Sequence, residues 1–182
     1  MIPLDVPWWT YPAAAEVEAF LRERDGAARV FEYGAGASTV WLAKRAGEVR
    51  SVEHDAAFVE MLAPKLAGFD NVHLRCVEPG PRRPDSTAVS ERAGHEHLDF
   101  GDYVAAIDEA GGAFDVIVVD GRARAACLAR AVPHLADGGV IVFDNAGRPR
   151  YRSAIEASGL QVDVRRGWAP SLPYREATAL LR

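Results

Sequence analysis

The stretch from Val30 to Leu42 reads VFEYGAGASTVWL and constrains the fold more than any other part of the chain. An apolar run leads through Glu32 to a glycine turn at Gly34 and Gly36, and apolar residues at helical spacing follow. This order predicts a buried strand, a tight turn and a helix start. Glycine has no Cβ, so the backbone can approach a ligand closely, and the free N–H groups of a helix start favour polar or anionic groups. We therefore expect a nucleotide-like cofactor at the first strand–helix junction of an α/β sheet.

The spacing of the glycines narrows the type of cofactor. A dinucleotide fingerprint needs a third glycine at the position of Thr39, and no phosphate-binding loop ending in Gly-Lys-Ser/Thr is present. The pattern Glu-x-Gly-x-Gly-x-Ser resembles motif I of class I S-adenosylmethionine-dependent methyltransferases, with Ser38 in place of the usual third glycine. The resemblance implies that Glu32, Gly34, Gly36 and Ser38 bind S-adenosylmethionine. A Gly-x-Gly turn without any ligand remains the alternative.

Helical and strand patterns alternate along the chain. Strands are predicted at 29–33, 49–53, 72–77, 114–120, 140–143, 160–164 and 177–181. Helices are predicted at 13–24, 38–46, 56–66, 102–110, 124–135 and 151–157. The segment 79–100 is predicted to be a long loop, and 137–139 is predicted to be a turn. The last two strands have no clear helix between them, which indicates an antiparallel pair. We expect a Rossmann-like, seven-stranded, doubly wound α/β sheet, mostly parallel, as in the methyltransferase fold.

Ligands of such sheets bind beyond the carboxyl ends of the strands, so the residues there are the candidate cofactor contacts. The resemblance implies that Glu53, at the end of the second strand, accepts hydrogen bonds from the ribose hydroxyls. His54 is expected beside the site, and Asp55 suits a helix cap. The same resemblance implies that Glu78, after the third strand, reaches the adenine amino group.

Three oxygen-bearing side chains end two further strands. Asp120 ends the fourth strand, and Asp144 and Asn145 end the fifth. Such ligands suit Mg²⁺, and the pattern resembles the metal site of catechol-type and caffeoyl-CoA-type O-methyltransferases. Those enzymes carry a lysine base where this chain has Ala123. The alternative is that Asp120 contacts the methionine part of the cofactor while Asp144 and Asn145 order their own loop.

Composition bounds the class of protein. A length of 182 residues suits one domain spanning 1–182, and a net charge of −5 gives no indication of nucleic-acid binding. The Asn/Asp-Pro-Pro-aromatic loop of exocyclic-amine methylases is absent after the fourth strand. No segment is apolar enough to span a bilayer, and MIPLDVPWW lacks the pattern of a leader, so a cytoplasmic protein is expected. Cys76 and Cys127 are predicted to be buried free thiols.

The sequence therefore predicts an S-adenosylmethionine-dependent methyltransferase that acts on a small molecule, with O-methylation favoured and Asp120 and Asp144 as catalytic residues. An aminopropyl transferase of the spermidine-synthase kind and a noncatalytic cofactor-binding module of the same fold remain alternatives. Without a metal, the general base is sought among Asp144, His54, His95 and His97. The oligomeric state is left open.

The roles of two further clusters of residues are left open by the sequence. Arg148, Arg150 and Arg152 form a basic group that either is solvated or holds an acidic substrate. An aromatic group before the first helix either covers the core or forms a substrate wall; it comprises Trp8, Trp9 and Tyr11.

Overall fold

A mostly parallel sheet forms the centre of the computed structural model, which describes residues 6–90, 92–170 and 172–182. Seven strands lie in the order β3-β2-β1-β6-β7-β9-β8. They are β1 (Arg29–Tyr33), β2 (Glu48–Glu53), β3 (Val72–Cys76), β6 (Phe114–Val119), β7 (Leu135–Phe143), β8 (Val162–Gly167) and β9 (Glu176–Leu181). Two further strands, β4 (Gly80–Pro81) and β5 (Leu98–Asp99), form a small antiparallel sheet of their own. The first five residues, part of the stretch used to argue against a leader, lie outside the description.

The pairing confirms the predicted sheet. Neighbouring strands are parallel along the series β3, β2, β1, β6 and β7, whereas β9 runs antiparallel to both β7 and β8. The strand order reverses between β1 and β6, which is the point where open α/β sheets open a crevice for ligands.

The described residues form six α-helices, of which the first precedes β1 and the other five connect strands. They are α1 (Tyr11–Arg22), α2 (Ala37–Ala43), α3 (Ala56–Leu66), α4 (Gly101–Ala110), α5 (Arg124–Ala131) and α6 (Arg152–Ala157). In α1 the residues Ala13, Val17 and Leu21 recur every four positions and are buried, so one apolar stripe fixes this helix against the sheet. Among the described helices, none combines the length and apolar character needed to cross a bilayer.

Apolar side chains cover the two faces of the sheet as separate clusters. One cluster centres on Phe31, Tyr33 and Phe143, and the other on Trp9, Trp41 and Val118. The central strand β6 contributes to both, with Ile117 and Val119 on one face and Val116 and Val118 on the other. A strand buried on both faces is held rigidly, so the residues that follow it are well positioned for chemistry.

Three local expectations need correction. The turn expected at 137–139 is an irregularity inside β7, because Phe114 pairs with Leu135 while Val116 pairs with Val140. The segment 79–100 is not entirely loop, since it contains the β4–β5 pair. Cys76 is exposed, and only Cys127 is buried as predicted; β3 is an edge strand of the large sheet, which leaves its side chains more open than the apolar run suggested.

Candidate active site

A cavity of about 490 Å³ lies beyond the carboxyl ends of β2, β1, β6 and β7. The residues that line it come from the ends of these strands and from the helices that follow. The described lining residues are Trp8, Gly34, Ala35, Gly36, Ala37, Ser38, Glu53, His54, Phe58, Met61, Lys65, Asp120, Gly121, Arg122, Arg124, Asp144, Asn145, Arg148 and Leu172. Most of the residues predicted from the sequence for the site are therefore brought together at one edge of the sheet.

The two glycines of the turn have different structural roles. Gly34 has φ +93°, and a Cβ there would lie 2.6 Å from the Cα of Gly121, so this glycine lets the ends of β1 and β6 touch. Gly36 has extended backbone, and a Cβ there would meet nothing nearer than the Phe58 ring, at 3.9 Å. Because Gly36 and Phe58 both line the cavity, the space left by the missing side chain belongs to the cavity.

Glu32 lies beneath the turn and is not part of the cavity wall. Its carboxylate is fully buried and accepts hydrogen bonds from the hydroxyls of Ser38, Thr39 (2.6 Å) and Ser51 (2.6 Å). Thr39 in turn accepts a 2.8 Å bond from the N–H of Gly36. Burial raises the pKa of Glu32 to about 7, against the lowering effect of the hydroxyls. Glu32 therefore positions the turn and the start of α2, and Ser38 is both its partner and a lining residue.

Glu53 has the geometry of a ligand-binding carboxylate. It is buried at the end of β2, and its Oε1 accepts the backbone N–H groups of His54 (2.7 Å) and Asp55 (3.0 Å). The His54 ring also contacts Oε1. No described residue donates a hydrogen bond to Oε2. The side chain is thus fixed by one oxygen, and the other is left for a ligand with hydroxyl groups.

Aromatic and apolar side chains form the rest of the wall. Phe58 and Met61 from α3 and Trp8 from the segment before α1 line the cavity. Trp9 is instead buried edge-on against Trp41 at a centroid distance of 5.9 Å, so it covers the core as one of the two interpretations expected, whereas a substrate contact by Trp8 stays a prediction. Glu78 is exposed and does not line the cavity, so the structure does not bring it to the predicted adenine contact.

An arginine absent from the sequence analysis organises the far end of the cavity. Arg124, at the start of α5, is buried and donates to Asp120 Oδ1 (2.7 Å) and Asn145 Oδ1 (3.1 Å). It also donates to the backbone carbonyls of Asp120 (2.8 Å), Gly121 (3.1 Å) and Asp144 (2.6 Å). The Asp144 carboxylate lies 3.9 Å from the same guanidinium and accepts a 2.8 Å bond from Thr178.

This arrangement does not fit a divalent cation among Asp120, Asp144 and Asn145. One oxygen of each side chain already accepts a hydrogen bond, two of them from Arg124, and the guanidinium lies where the ion would have to sit. A bound Mg²⁺ would face a fixed positive charge. Among the described residues, no cluster of three His, Cys, Asp or Glu side chains is placed to hold a metal elsewhere. The structure therefore does not support the magnesium prediction.

The two aspartates form a coupled acid pair. Burial and the charge of Asp120 together raise the pKa of Asp144 to about 7, against the opposing effect of Arg124. Burial also raises the pKa of Asp120, whose carboxyl group is within hydrogen-bonding reach of Asp144. Asp120 is the more open of the two, with 21% of its side chain exposed against 8% for Asp144. A proton delivered from the cavity would therefore reach Asp120 first.

The histidines considered as bases occupy three different environments. His54 lines the cavity, and its ring lies 6.1 Å from that of His95. His95 stacks on Phe100, and burial together with Arg122 and Arg92 lowers its pKa. His97 is exposed and lines neither this cavity nor its neighbour. Only His54 is placed to touch a ligand in this cavity.

Comparisons with known proteins agree with this geometry. A family model described as a methyltransferase domain matches residues 31–146, which is most of the chain and contains the glycine turn and both aspartates. The chain belongs to the methyltransferase family. No curated protein sequence matches this methyltransferase. With the glycine turn and the seven-stranded sheet, it is a class I S-adenosylmethionine-dependent enzyme, as the resemblance implied.

Solved structures extend the comparison. A methyltransferase-like protein from Silicibacter pomeroyi DSS-3 is 25% identical over 98% of this chain and 90% of its own, with a TM-score of 0.64. A cofactor-bound structure of Rv0187 from MTB is 24% identical over 92% and 79%, also with a TM-score of 0.64. Aeropyrum pernix fibrillarin with natively bound S-adenosyl-L-methionine shares the fold, at 12% identity over 85% and 66% and a TM-score of 0.59.

The wall of the cavity of this methyltransferase combines polar and apolar groups. Glu53 keeps one carboxylate oxygen without a donor among the described residues, and Gly36 leaves space beside the helix start. Phe58 and Met61 present apolar surface to the cavity. Arg122 and Arg124 were missed by the sequence analysis. The signal was their position two and four residues after Asp120, where the second can fold back onto the strand end.

Proposed function

We propose that this enzyme transfers the methyl group of S-adenosylmethionine to a hydroxyl group of a small molecule, with the Asp120–Asp144 pair as general base. The observation that carries the proposal is this buried acid pair, whose member Asp144 has its pKa raised to about 7, at the end of the cofactor cavity. A base with a pKa near the working pH is the most effective. A hydroxyl group gains from such a base, whereas a neutral amine does not need one.

The proposed reaction is an in-line displacement. Bound S-adenosylmethionine would supply an electrophilic methyl group and a thioether leaving group. As the hydroxyl oxygen forms its bond to the methyl carbon, the carbon–sulfur bond breaks, its electron pair stays on sulfur, and Asp120 takes the hydroxyl proton. Asp144 and Arg124 hold Asp120 in place and set its proton affinity. Most of the acceleration in such transfers comes from orientation of the reactants.

Other functions fit the lining residues less well. An aminopropyl transferase needs carboxylates to hold a cationic polyamine, but arginines dominate the lining near Asp120. The basic residues near Asp120 line concave cavities rather than an extended surface, which favours a small molecule over nucleic acid as the acceptor. A noncatalytic module would bind the cofactor without turnover, which is a measurable difference.

The test of the base is a set of pH–rate profiles, measured as S-adenosylhomocysteine release with a hydroxylated acceptor that supports turnover. We expect kcat/KM of the native enzyme to rise with pH, because burial raises the pKa of both aspartates and the pair must lose a proton before Asp120 can take one from the hydroxyl group. Asp120→Asn should lower kcat by roughly a hundredfold or more. Asp144→Asn removes the like charge beside Asp120, so the rise should move to lower pH.

Asp108→Asn is the matched control, because Asp108 is a carboxylate paired with Arg130 and His134 outside the cavity. Its profile should follow that of the native enzyme. Native kcat in the Asp120→Asn variant would contradict the assignment of the base. An Asp120→Asn variant that loses affinity for S-adenosylhomocysteine but keeps kcat would make Asp120 a cofactor contact only.

A further inference from the structure

A second cavity of about 530 Å³ adjoins the cofactor cavity. It is enclosed by the segment before β5, the start of α5 and the segment between β7 and α6. The lining residues common to both cavities are Gly121, Arg122, Arg124, Asn145 and Arg148. The cofactor's ribose is expected at the end of β2, so the rest of the cofactor would extend across β1 toward β6. The second cavity then lies beyond the reactive end of the cofactor, where an acceptor must bind.

The wall of this cavity is strongly basic, although the chain as a whole has a net charge of −5. Five arginines line it, namely Arg92, Arg122, Arg124, Arg148 and Arg150, and none of its other described lining residues is acidic. Basic residues gathered around a concave site concentrate their field on whatever enters it. The site therefore selects for negative charge.

Only part of this positive charge is balanced within the described protein. Arg124 is paired with Asp120. Arg122, in contrast, is partly buried, and its buried Nε has no hydrogen-bond partner. Burial and the neighbouring charges of Arg92 and Arg124 lower its pKa. Arg148 likewise has no side-chain hydrogen bond or ion pair to any described residue.

Asp120 and Glu53 offset part of this charge from a distance, but the arginines outnumber them. Like charges held together cost free energy, and a buried guanidinium N–H without an acceptor adds to that cost. An anionic ligand would remove both costs. Guanidinium groups also match carboxylate and phosphate groups in shape, because they can donate two parallel hydrogen bonds.

We propose that the methyl acceptor is an anionic small molecule, whose carboxylate or phosphate group is held in the second cavity by Arg92, Arg122 and Arg148 while its hydroxyl group faces Asp120. This inference rests on the proposed function, since it names the substrate class of the same site. The cofactor's own carboxylate is the competing source of negative charge. It accounts less well for Arg92, which lines the second cavity and not the first.

The test uses inorganic phosphate as the probe, titrated by calorimetry at pH 8 and low ionic strength into protein saturated with S-adenosylhomocysteine. We expect saturable binding in the millimolar range. Arg92→Gln and Arg122→Gln should each weaken it by about tenfold, as for loss of a charge-assisted hydrogen bond. Arg152→Gln is the matched control, because Arg152 is exposed in the same basic segment and lines neither cavity; phosphate binding should be unchanged there.

Each other outcome has a definite meaning. Phosphate that competes with S-adenosylhomocysteine would assign the arginines to the cofactor's carboxylate and overturn the proposal. Absence of saturable binding would overturn it as well. Displacement of phosphate by a single-stranded RNA oligonucleotide at micromolar concentration would assign the arginines to a nucleic-acid backbone instead. Failure of S-adenosylhomocysteine to bind at all would refute the proposed function, and phosphate titrated into the cofactor-free protein would then still report on the arginines.

Discussion

Arg124→Met is the perturbation that tests the organisation of the active site most directly. The guanidinium of Arg124 is 9% exposed and makes five hydrogen bonds that link the ends of β6 and β7. Methionine fills a similar volume without the charge. The change leaves the Asp120 carboxyl group and three backbone carbonyls without this donor, and it leaves the Asp144 carboxylate without its counter-charge. We therefore expect a loss of about 3–5 kcal/mol in the free energy of unfolding, as when one partner of a buried ion pair is removed.

The assay is urea unfolding of the native chain, of Arg124→Met and of a control, Arg130→Met. Arg130 pairs with Asp108, but its side chain is 53% exposed, so its removal should cost about 0–1 kcal/mol. For a urea slope of about 2 kcal/mol per molar, the loss at Arg124 shifts the midpoint by roughly 2 M. The two arginines differ in burial and in their partners, so the difference between their losses measures how much the buried contacts of Arg124 contribute to the free energy of unfolding.

The pH dependence sharpens the test. Without the guanidinium, the carboxyl groups of Asp120 and Asp144 should bind protons more tightly, so the loss in Arg124→Met should be larger at pH 8 than at pH 5. Adding Asp120→Asn to Arg124→Met removes one of the charges and should restore part of the stability. A loss no greater than that of Arg130→Met, or one equal at both pH values, would refute the description of Arg124 as the counter-charge of the acid pair.

Three further predictions concern the cofactor cavity. Glu53→Gln should raise the Kd for S-adenosylhomocysteine in calorimetry by roughly ten- to a hundredfold, as for lost hydrogen bonds to a charged group, while Glu48→Gln, outside the cavity, leaves it unchanged; equal effects would show that Glu53 does not contact the cofactor. Gly36→Ala should weaken the same binding at near-native stability, whereas Gly34→Ala should destabilise the fold, because its Cβ would lie 2.6 Å from a neighbouring Cα; a stable Gly34→Ala would contradict this. Between the ordinary pKa of Glu32, 4.5, and its folded value of about 7, only the folded state keeps the proton, so the stability of the native chain should fall as pH rises through this window. The loss from this group is on the order of 3 kcal/mol, and in thermal melts the stability of Glu32→Gln should depend less steeply on pH.

The sheet could be predicted from the sequence because its signals are local. Apolar runs such as 114–119 identify buried parallel strands, and the glycine turn after β1 fixes where the first helix begins. The strand ends then identify the edge of the sheet that carries Glu53, Asp120 and Asp144. The turn expected at 137–139 failed because Gly138 and Gly139 suit either a turn or a strand irregularity, and only pairing with β6 decides between the two.

Side-chain direction is the information that the sequence lacks. Glu32 and Glu53 both end strands and both are buried, yet three hydroxyls surround the first while the second reaches the cavity. Strand alternation sends successive side chains to opposite faces, but the residues near a strand end escape this rule once the backbone turns. Glu78 follows an edge strand, and nothing in its local sequence shows that it lies outside the cavity.

The metal site could not be judged from the aspartates alone, because the same three oxygens suit a metal ion or a guanidinium. The metal ion is excluded here because the chain itself supplies the cation, in the guanidinium of Arg124. Arg124 follows Asp120 by four residues, and its guanidinium folds back between the ends of β6 and β7. Ala123, where the resembled enzymes carry a lysine base, has φ +48°, so the backbone turns sharply just before this arginine. The arginine thus neutralises the acid pair without occupying the open side of Asp120, which leaves that carboxyl group able to take a proton.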